Sequence, residues 1–164
     1  MYDIFIKNNN SVVADNKTKI LLMQHSSMVD KLRILVAKSY NNEFQDMSEF
    51  TCVMEYRLPY TKKYKVEVLD RIPDDPDVED IYSGFIKYAV PINSEITKEA
   101  GDVEIQFAFV KKAGDNYSSD DDNIIRRTDK TVVTISPIAD WANAGIDIFE
   151  EKVDEILNPP IPSV

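Results

Sequence analysis

The side chains in this chain that could do chemistry are few and far apart. His25, the only histidine, lies in the run QHSSM with no cysteine or acidic pair at metal-ligand spacing, so it reads as a polar surface or turn histidine. Any mechanism that needs two histidines is excluded. Cys52, the only cysteine, falls on the alternating row Phe50, Cys52, Met54, Tyr56, where a small buried hydrophobe is expected rather than a reactive thiol. Two acidic clusters, Asp74, Asp75, Asp77, Glu79, Asp80 and Asp120, Asp121, Asp122, offer oxygen ligands to calcium. Neither has EF-hand spacing, because no glycine sits at the sharp turn and no glutamate closes the loop, so solvated loops are expected. Trp141, the only tryptophan, follows the last apolar run and is expected to cover the open end of a core; stacking on a sugar would need it exposed beside polar partners. GxSxG, Walker A, GxGxxG and HExxH are absent, and with four glycines a phosphate-cradling loop is not expected. No catalytic, cofactor-binding or metal-ligating residue is assigned, and no cofactor is expected.

Composition narrows the class further. At 164 residues the chain suits one domain with an appendage, and a domain of this size buries about two thirds of its unfolded surface without a staple. Its 19 Lys and Arg against 29 Asp and Glu give a formal charge of -10, a sign that disfavours contact with nucleic-acid phosphates. No apolar run approaches the roughly 20 residues that span a bilayer, and the start MYDIFIKNNN lacks the pattern of a signal peptide. A soluble protein with neither nucleic-acid nor membrane partners is expected.

The scaffold is an all-β one by pattern. Tyr82 to Val110 shows an alternating strand, a Pro-containing corner, an Ala-Gly turn and a second alternating strand, Phe85 to Val90 and Asp102 to Val110, read as an antiparallel pair with one buried face. Thr18 to Met23, Lys31 to Ala37, Phe50 to Arg57, Tyr64 to Val68 and Arg127 to Ser136 add further strands. About eight short strands between turn signals point to a β-sandwich or barrel. The expected core is Leu32, Ile34, Val36, Phe50, Met54, Tyr56, Val66, Ile86, Tyr88, Ile105, Phe107, Phe109 and Ile135. The stretches YNNEFQDMS, RIPDDPDVED and KKAGDNYSSDDDN read as loops.

After Pro137 the period changes from two to helical. Ile146, Phe149, Val153, Ile156 and Leu157 share one face, acidic residues fill the other, and Pro159 and Pro160 stop the helix. At roughly twelve residues it is too short to be stable alone, so it must pack on the sandwich, on a copy of itself or on another protein. The tail NPPIPSV reads as extended and stiff. The division expected is an N-terminal arm over residues 1–16, a sandwich over 17–141, and the helix with its proline-rich tail over 142–164.

VDKLRILVAKSY at Val29 to Tyr40, FTCVMEYRLP at Phe50 to Pro59, Tyr82 to Lys111 and RRTDKTVVTISPIADW at Arg126 to Trp141 together resemble a family of tailed-bacteriophage virion proteins: the N-terminal module of baseplate upper proteins and related modules of head fibres and minor structural proteins. The similarity covers most of Val29 to Leu157 and rests on the Gly-x-x-x-Tyr-x-x-Pro corner from Gly84, the Thr-x-x-Ala-Gly turn from Thr97 and the closing Thr-x-x-x-Ile-x-Pro from Thr131. The resemblance implies an immunoglobulin-like antiparallel sandwich that plugs into a virion and carries something outward. Many relatives continue into a coiled coil or receptor-binding domain, whereas this sequence ends at Val164, which fits a decoration or adaptor protein better than a complete fibre.

The function expected is a non-enzymatic structural component of the virion, an auxiliary head protein of decoration or head-fibre type docked on the capsid, made in the host cytoplasm and present in many copies or as a homo-oligomer. The alternatives are a baseplate or tail adaptor that attaches receptor-binding proteins, and a carbohydrate-binding module using Trp141 or Tyr117. Partner contacts are expected from Ile146, Phe149, Val153, Ile156 and Leu157 on the helix. They are also expected from Tyr2, Ile4 and Ile6, because a short apolar strand before the turn-favouring Asn8, Asn9 and Asn10 leaves an edge that another chain can complete, unless that strand pairs within its own sheet.

Overall fold

The computed structural model describes residues 2–14, 20–26, 32–39, 46–74, 84–112, 123–159 and 161. Asp75, Asp77, Glu79, Asp80, Tyr82, Tyr117, Asp120, Asp121, Asp122 and Pro160, together with most of the three expected loops, lie outside these residues. The strands are β1 (Tyr2–Ile6), β2 (Val12–Ala14), β3 (Leu21–Met23), β4 (Leu32–Ala37), β5 (Thr51–Arg57), β6 (Tyr64–Val68), β7 (Asp70–Ile72), β8 (Phe85–Ala89), β9 (Gly101–Lys112) and β10 (Asn123–Ser136). A 3₁₀ turn at Met47–Glu49 precedes β5, and helices α1 (Asp140–Ala144) and α2 (Ile146–Leu157) follow β10.

Two five-stranded sheets share one hydrophobic core. Their orders are β2-β1-β4-β8-β7 and β3-β10-β9-β5-β6. Alternation sets the inward faces: Ile4 and Ile6, Ile34 and Val36, and Ile86 and Tyr88 from the first sheet meet Cys52 and Met54, Ile105, Phe107 and Phe109, and Val133 and Ile135 from the second. Twelve of the thirteen expected core residues are buried. Val66 is the exception, at 52% exposed. It lies on edge strand β6, which turns Tyr64, Val66 and Val68 outward, while Lys65 and Glu67 are half-buried. Polar partners make that inversion affordable, since Glu67 accepts from Tyr56 Oη at 3.0 Å and from Ser94 Oγ at 2.5 Å, and Lys65 pairs with Glu95.

The sheets are mixed rather than wholly antiparallel. β1 runs parallel to β4, with Ile4 opposite Ile34, and β3 runs parallel to β10, with Leu22 opposite Ile135. The parallel pairs arise because the chain enters on β1 and β2, visits the edge of the second sheet with β3, and returns with β4, the long crossover a parallel pair needs. β8 and β9, expected as a pair, belong to different sheets. The turns from Pro91 to Ala100 carry the chain across, and Ile96, 5% exposed, closes the core beneath them.

Gly101 opens β9 at a φ of 128°, and a Cβ there would stand 2.9 Å from Pro59 Cβ, so this position needs glycine for both reasons. Leu35, on the face of β4 opposite the expected core residues Leu32, Ile34 and Val36, is also fully buried; across the ladder it meets Phe5 and Lys87, and the Phe5 and Phe85 rings stack edge-on at 5.5 Å. Trp141, expected to cover the core, is 81% exposed in α1.

Candidate functional site

The first candidate surface is α2. The spacing Ile146, Phe149, Val153, Ile156 is three, four, three, the seam positions of a heptad. No residue of α1 or α2 is buried; Phe149 is 62%, Ile156 69% and Leu157 71% exposed, while Ile146 and Val153 are half-buried. Local stabilisation of α2 is weak. Gly145 at its N-cap supplies no side-chain acceptor, Asp147 suits the first turn, and Asp154 and Glu155 sit in the last turn with no basic residue to offset the helix dipole. Asn158 ends it by donating from N to the Asp154 carbonyl at 2.7 Å and from Nδ2 to Asp154 Oδ1 at 3.0 Å.

The stretch leaving β3 launches the helices. Gln24, 8% exposed, donates to the Lys98 carbonyl at 3.2 Å and accepts from Ile138 N at 3.3 Å. His25 adopts a φ of 59°, donates its backbone N–H to the Thr97 carbonyl at 2.9 Å and places Nε2 3.2 Å from Asn143 Oδ1. His25 is thus the turn histidine its isolation predicts, used to hold α1.

The N-terminal expectation lacks its premise. β1 is hydrogen-bonded to β2 on one side and β4 on the other, so Tyr2, Ile4 and Ile6 present no unpaired edge, and Ile4 and Ile6 are fully buried. The Asn-rich turn is fastened to the second sheet by a contact the sequence hides. Arg126, 8% exposed, donates from Nε to Asn10 Oδ1 at 2.6 Å and from Nη2 to the Lys7 carbonyl at 2.9 Å, and its guanidinium lies 5.3 Å above the Phe109 ring.

Other titratable groups are structural. Burial pushes the Cys52 thiol far above its usual range, against a smaller opposing pull from Arg126, which leaves an inert thiol. Burial and the neighbouring Glu67 carboxylate push Tyr56 up, and burial pushes Tyr88 up to about 12. On the outer face, hydrogen bonding from Arg127 and Tyr64 holds Glu55 below the usual carboxylate range despite partial burial. Among the described residues, no group of three or more His, Cys, Asp or Glu side chains is placed to hold a metal ion, and no helix is long and apolar enough to cross a membrane.

Two surfaces escaped sequence reasoning. The outward row of β6, Tyr64, Val66 and Val68, continues onto β5 through the half-buried Val53, which pairs with Val68. Strict alternation was the signal for this row, but it does not say which face is inside. A cleft of about 390 Å³ between the 3₁₀ turn and the β7–β8 edge is lined by Lys38, Arg71 and Lys87 with Asp46 and Asp74. Its charges are drawn from segments far apart in sequence, so no local pattern marks it. Both surfaces, like α2, offer non-covalent contact.

No family model matches this sequence, and no curated protein matches it. Among solved structures, the N-terminal domain of phage TP901-1 ORF48 is similar to it, with a TM-score of 0.46 and 15% identity over 82% of this chain and 97% of that chain.

Proposed function

We propose that this chain is a non-enzymatic structural component of a tailed-phage particle, an attachment module whose immunoglobulin-like sandwich supports a helix that docks on another virion protein. The observation that carries the reading is α2: a twelve-residue helix with a heptad-spaced apolar seam and no buried residue. A helix of that length is marginal in water, and its seam has the form of a contact still to be made. The motif order from Gly84 through Thr97 to Thr131, which resembles the virion-protein family, supports the same class.

The capsid, where the chain would act as an auxiliary head protein, is the first placement to test, and the baseplate or tail, where it would act as an adaptor, is the second. Labelled-particle imaging that locates the chain separates them: density on the head supports decoration, density on the tail supports the adaptor, and absence from purified particles overturns both. Phe149→Asp with Val153→Asp should remove the chain from particles while leaving the sandwich folded.

A second reading draws on Trp141, whose 81% exposure meets one condition for stacking on a sugar of the host surface. Trp141→Ala discriminates, because it should abolish glycan binding under that reading and leave particle incorporation intact under the first.

A further inference from the structure

β6 is the longest of the four edge strands, with five residues against three each in β2, β3 and β7. Its free side follows from the ladder on its bonded side. Leu69 N donates to the Cys52 carbonyl at 3.0 Å and Leu58 N to the Lys63 carbonyl at 2.9 Å, so Cys52 with Leu69 and Leu58 with Lys63 are hydrogen-bonded pairs of the β5–β6 register. Such pairs recur at every second residue of an antiparallel ladder, which directs the backbone groups of Lys65 and Glu67 to β5. Those of Tyr64, Val66 and Val68 point off the edge of the sheet, and among the described residues no turn or loop bonds to them.

These five residues are complementary to a second copy of themselves. Laid antiparallel about a two-fold axis at Val66, the strand sets Val66 opposite Val66, Tyr64 opposite Val68, and Lys65 opposite Glu67. Each kind of pair fits. The Val66 and Tyr64–Val68 pairs fall where the free backbone donors and acceptors lie, and on the outer face they join apolar side chains that are 52%, 62% and 59% exposed at Val66, Tyr64 and Val68. Lys65 and Glu67 fall as the closer, non-hydrogen-bonded pairs, twice by symmetry, with opposite charges facing. A slip of two residues keeps the backbone bonds but sets Lys65 against Lys65 or Glu67 against Glu67, and in-register parallel alignment does both.

We propose that β6 pairs with β6 of a second copy in this register, joining two five-stranded sheets edge to edge as a two-fold dimer. Charged residues turned toward the core side ordinarily protect an edge, because a foreign strand leaves them unpaired. A second copy supplies the counter-charge for each. Both side chains are half-buried and already held in place, Lys65 by Glu95 and Glu67 by Tyr56 Oη at 3.0 Å and Ser94 Oγ at 2.5 Å, so little ordering is left for association. The pairing uses no residue of α2 and stands or falls apart from the docking of that helix.

Sedimentation of the intact chain at about 0.15 M salt, where the charge of -10 on each copy is screened beyond about 8 Å, should show a monomer–dimer equilibrium with a Kd below about 1 mM. A chain that stays monomeric overturns the proposal. Val66→Lys, at an exposed position, sets two lysines face to face at the axis and should weaken the dimer by about tenfold or more with the fold unchanged. Undiminished association overturns the pairing. The register is read in trans: Lys65→Glu gives an edge with two acids and Glu67→Lys an edge with two bases, so each variant alone should be monomeric where the parent dimerises, and their equimolar mixture should form a mixed dimer. Dimers in either variant alone, or no recovery on mixing, overturn the register. Phe149→Asp with Val153→Asp should leave the dimer intact; a monomer there means that the copies meet through α2, and overturns the pairing through β6.

Discussion

Arg126 Nε donates to Asn10 Oδ1 at 2.6 Å, joining residues 116 positions apart and fastening the β1–β2 turn to the first part of β10. Asp129 N reinforces the joint by donating to the Asn10 carbonyl at 3.0 Å, where β10 shifts register between Arg127 and Lys130. Inside that bulge Thr128, 3% exposed, accepts from Phe107 N at 3.1 Å, and its carbonyl accepts from Gln106 Nε2 at 2.7 Å. The extra residue is thus re-paired from both sides.

Asn10→Ala should destabilise the fold by about 1 to 3 kcal/mol, because it removes an acceptor from a buried cation. Asn10 also sits at a φ of 70°, so Asn10→Gly should recover about 1 kcal/mol of that loss by relieving the left-handed backbone. Urea titrations of the two variants check the order; equal midpoints would mean the backbone contributes nothing.

Deleting residues 1–16 should abolish cooperative unfolding, since β1 lies between β2 and β4 and supplies two fully buried isoleucines. Ile4→Ala alone should cost about 2 to 5 kcal/mol, the range for a buried aliphatic truncated to alanine. A deletion variant that melts like the intact chain would show that the first sheet closes without its inner strand.

Gly101→Ala should cost more than about 1 kcal/mol through its positive φ and its collision with Pro59. Adding Pro59→Ala should restore part of the loss and leave the backbone share, a split that thermal melts of the single and double variants can read.

Phe149→Asp and Val153→Asp, placed on exposed or half-buried positions of α2, should move the unfolding free energy of the sandwich by no more than about 0.5 kcal/mol. Val66→Thr on the outward row of β6 should be similarly mild, whereas Phe107→Ala in the core should cost about 3 to 5 kcal/mol. A large loss at Phe149 would place α2 in the fold rather than in an interface.

Stability should fall at alkaline pH. Tyr56 and Tyr88 are raised chiefly by burial, and Tyr64 by its hydrogen bond to Glu55, above the ordinary value of 10.0. A raised pKa means the folded chain holds the proton more tightly than the unfolded chain. The stabilisation is therefore complete below the unfolded value of 10.0 and is lost as pH rises toward the folded values, about 12 for Tyr88. Urea midpoints should be flat up to about pH 9 and fall above about pH 10. Tyr56→Phe should flatten part of that fall, and an unchanged slope would remove Tyr56 as a contributor.

Local pattern in the sequence determined the all-β class, the inward faces of β5, β9 and β10, the turn role of His25, the buried character of Cys52 and the span of α2 from Ile146 to Leu157. Each of these follows from which neighbours along the chain are apolar, so a period of two or of three to four residues is enough to read them. Tertiary structure alone decided that β1 runs parallel to β4, that β8 and β9 part to different sheets, that β6 turns its valines outward and that Trp141 stands in solvent. It also decided that the Asn-rich turn, legible only as a turn, is locked by a guanidinium 116 positions along the chain, and that no residue of α2 is buried. The physical reason is the same in each case: alternation says that a strand has an apolar face but not which strand it pairs with, because that choice is made by hydrogen bonds and buried contacts between residues distant in sequence.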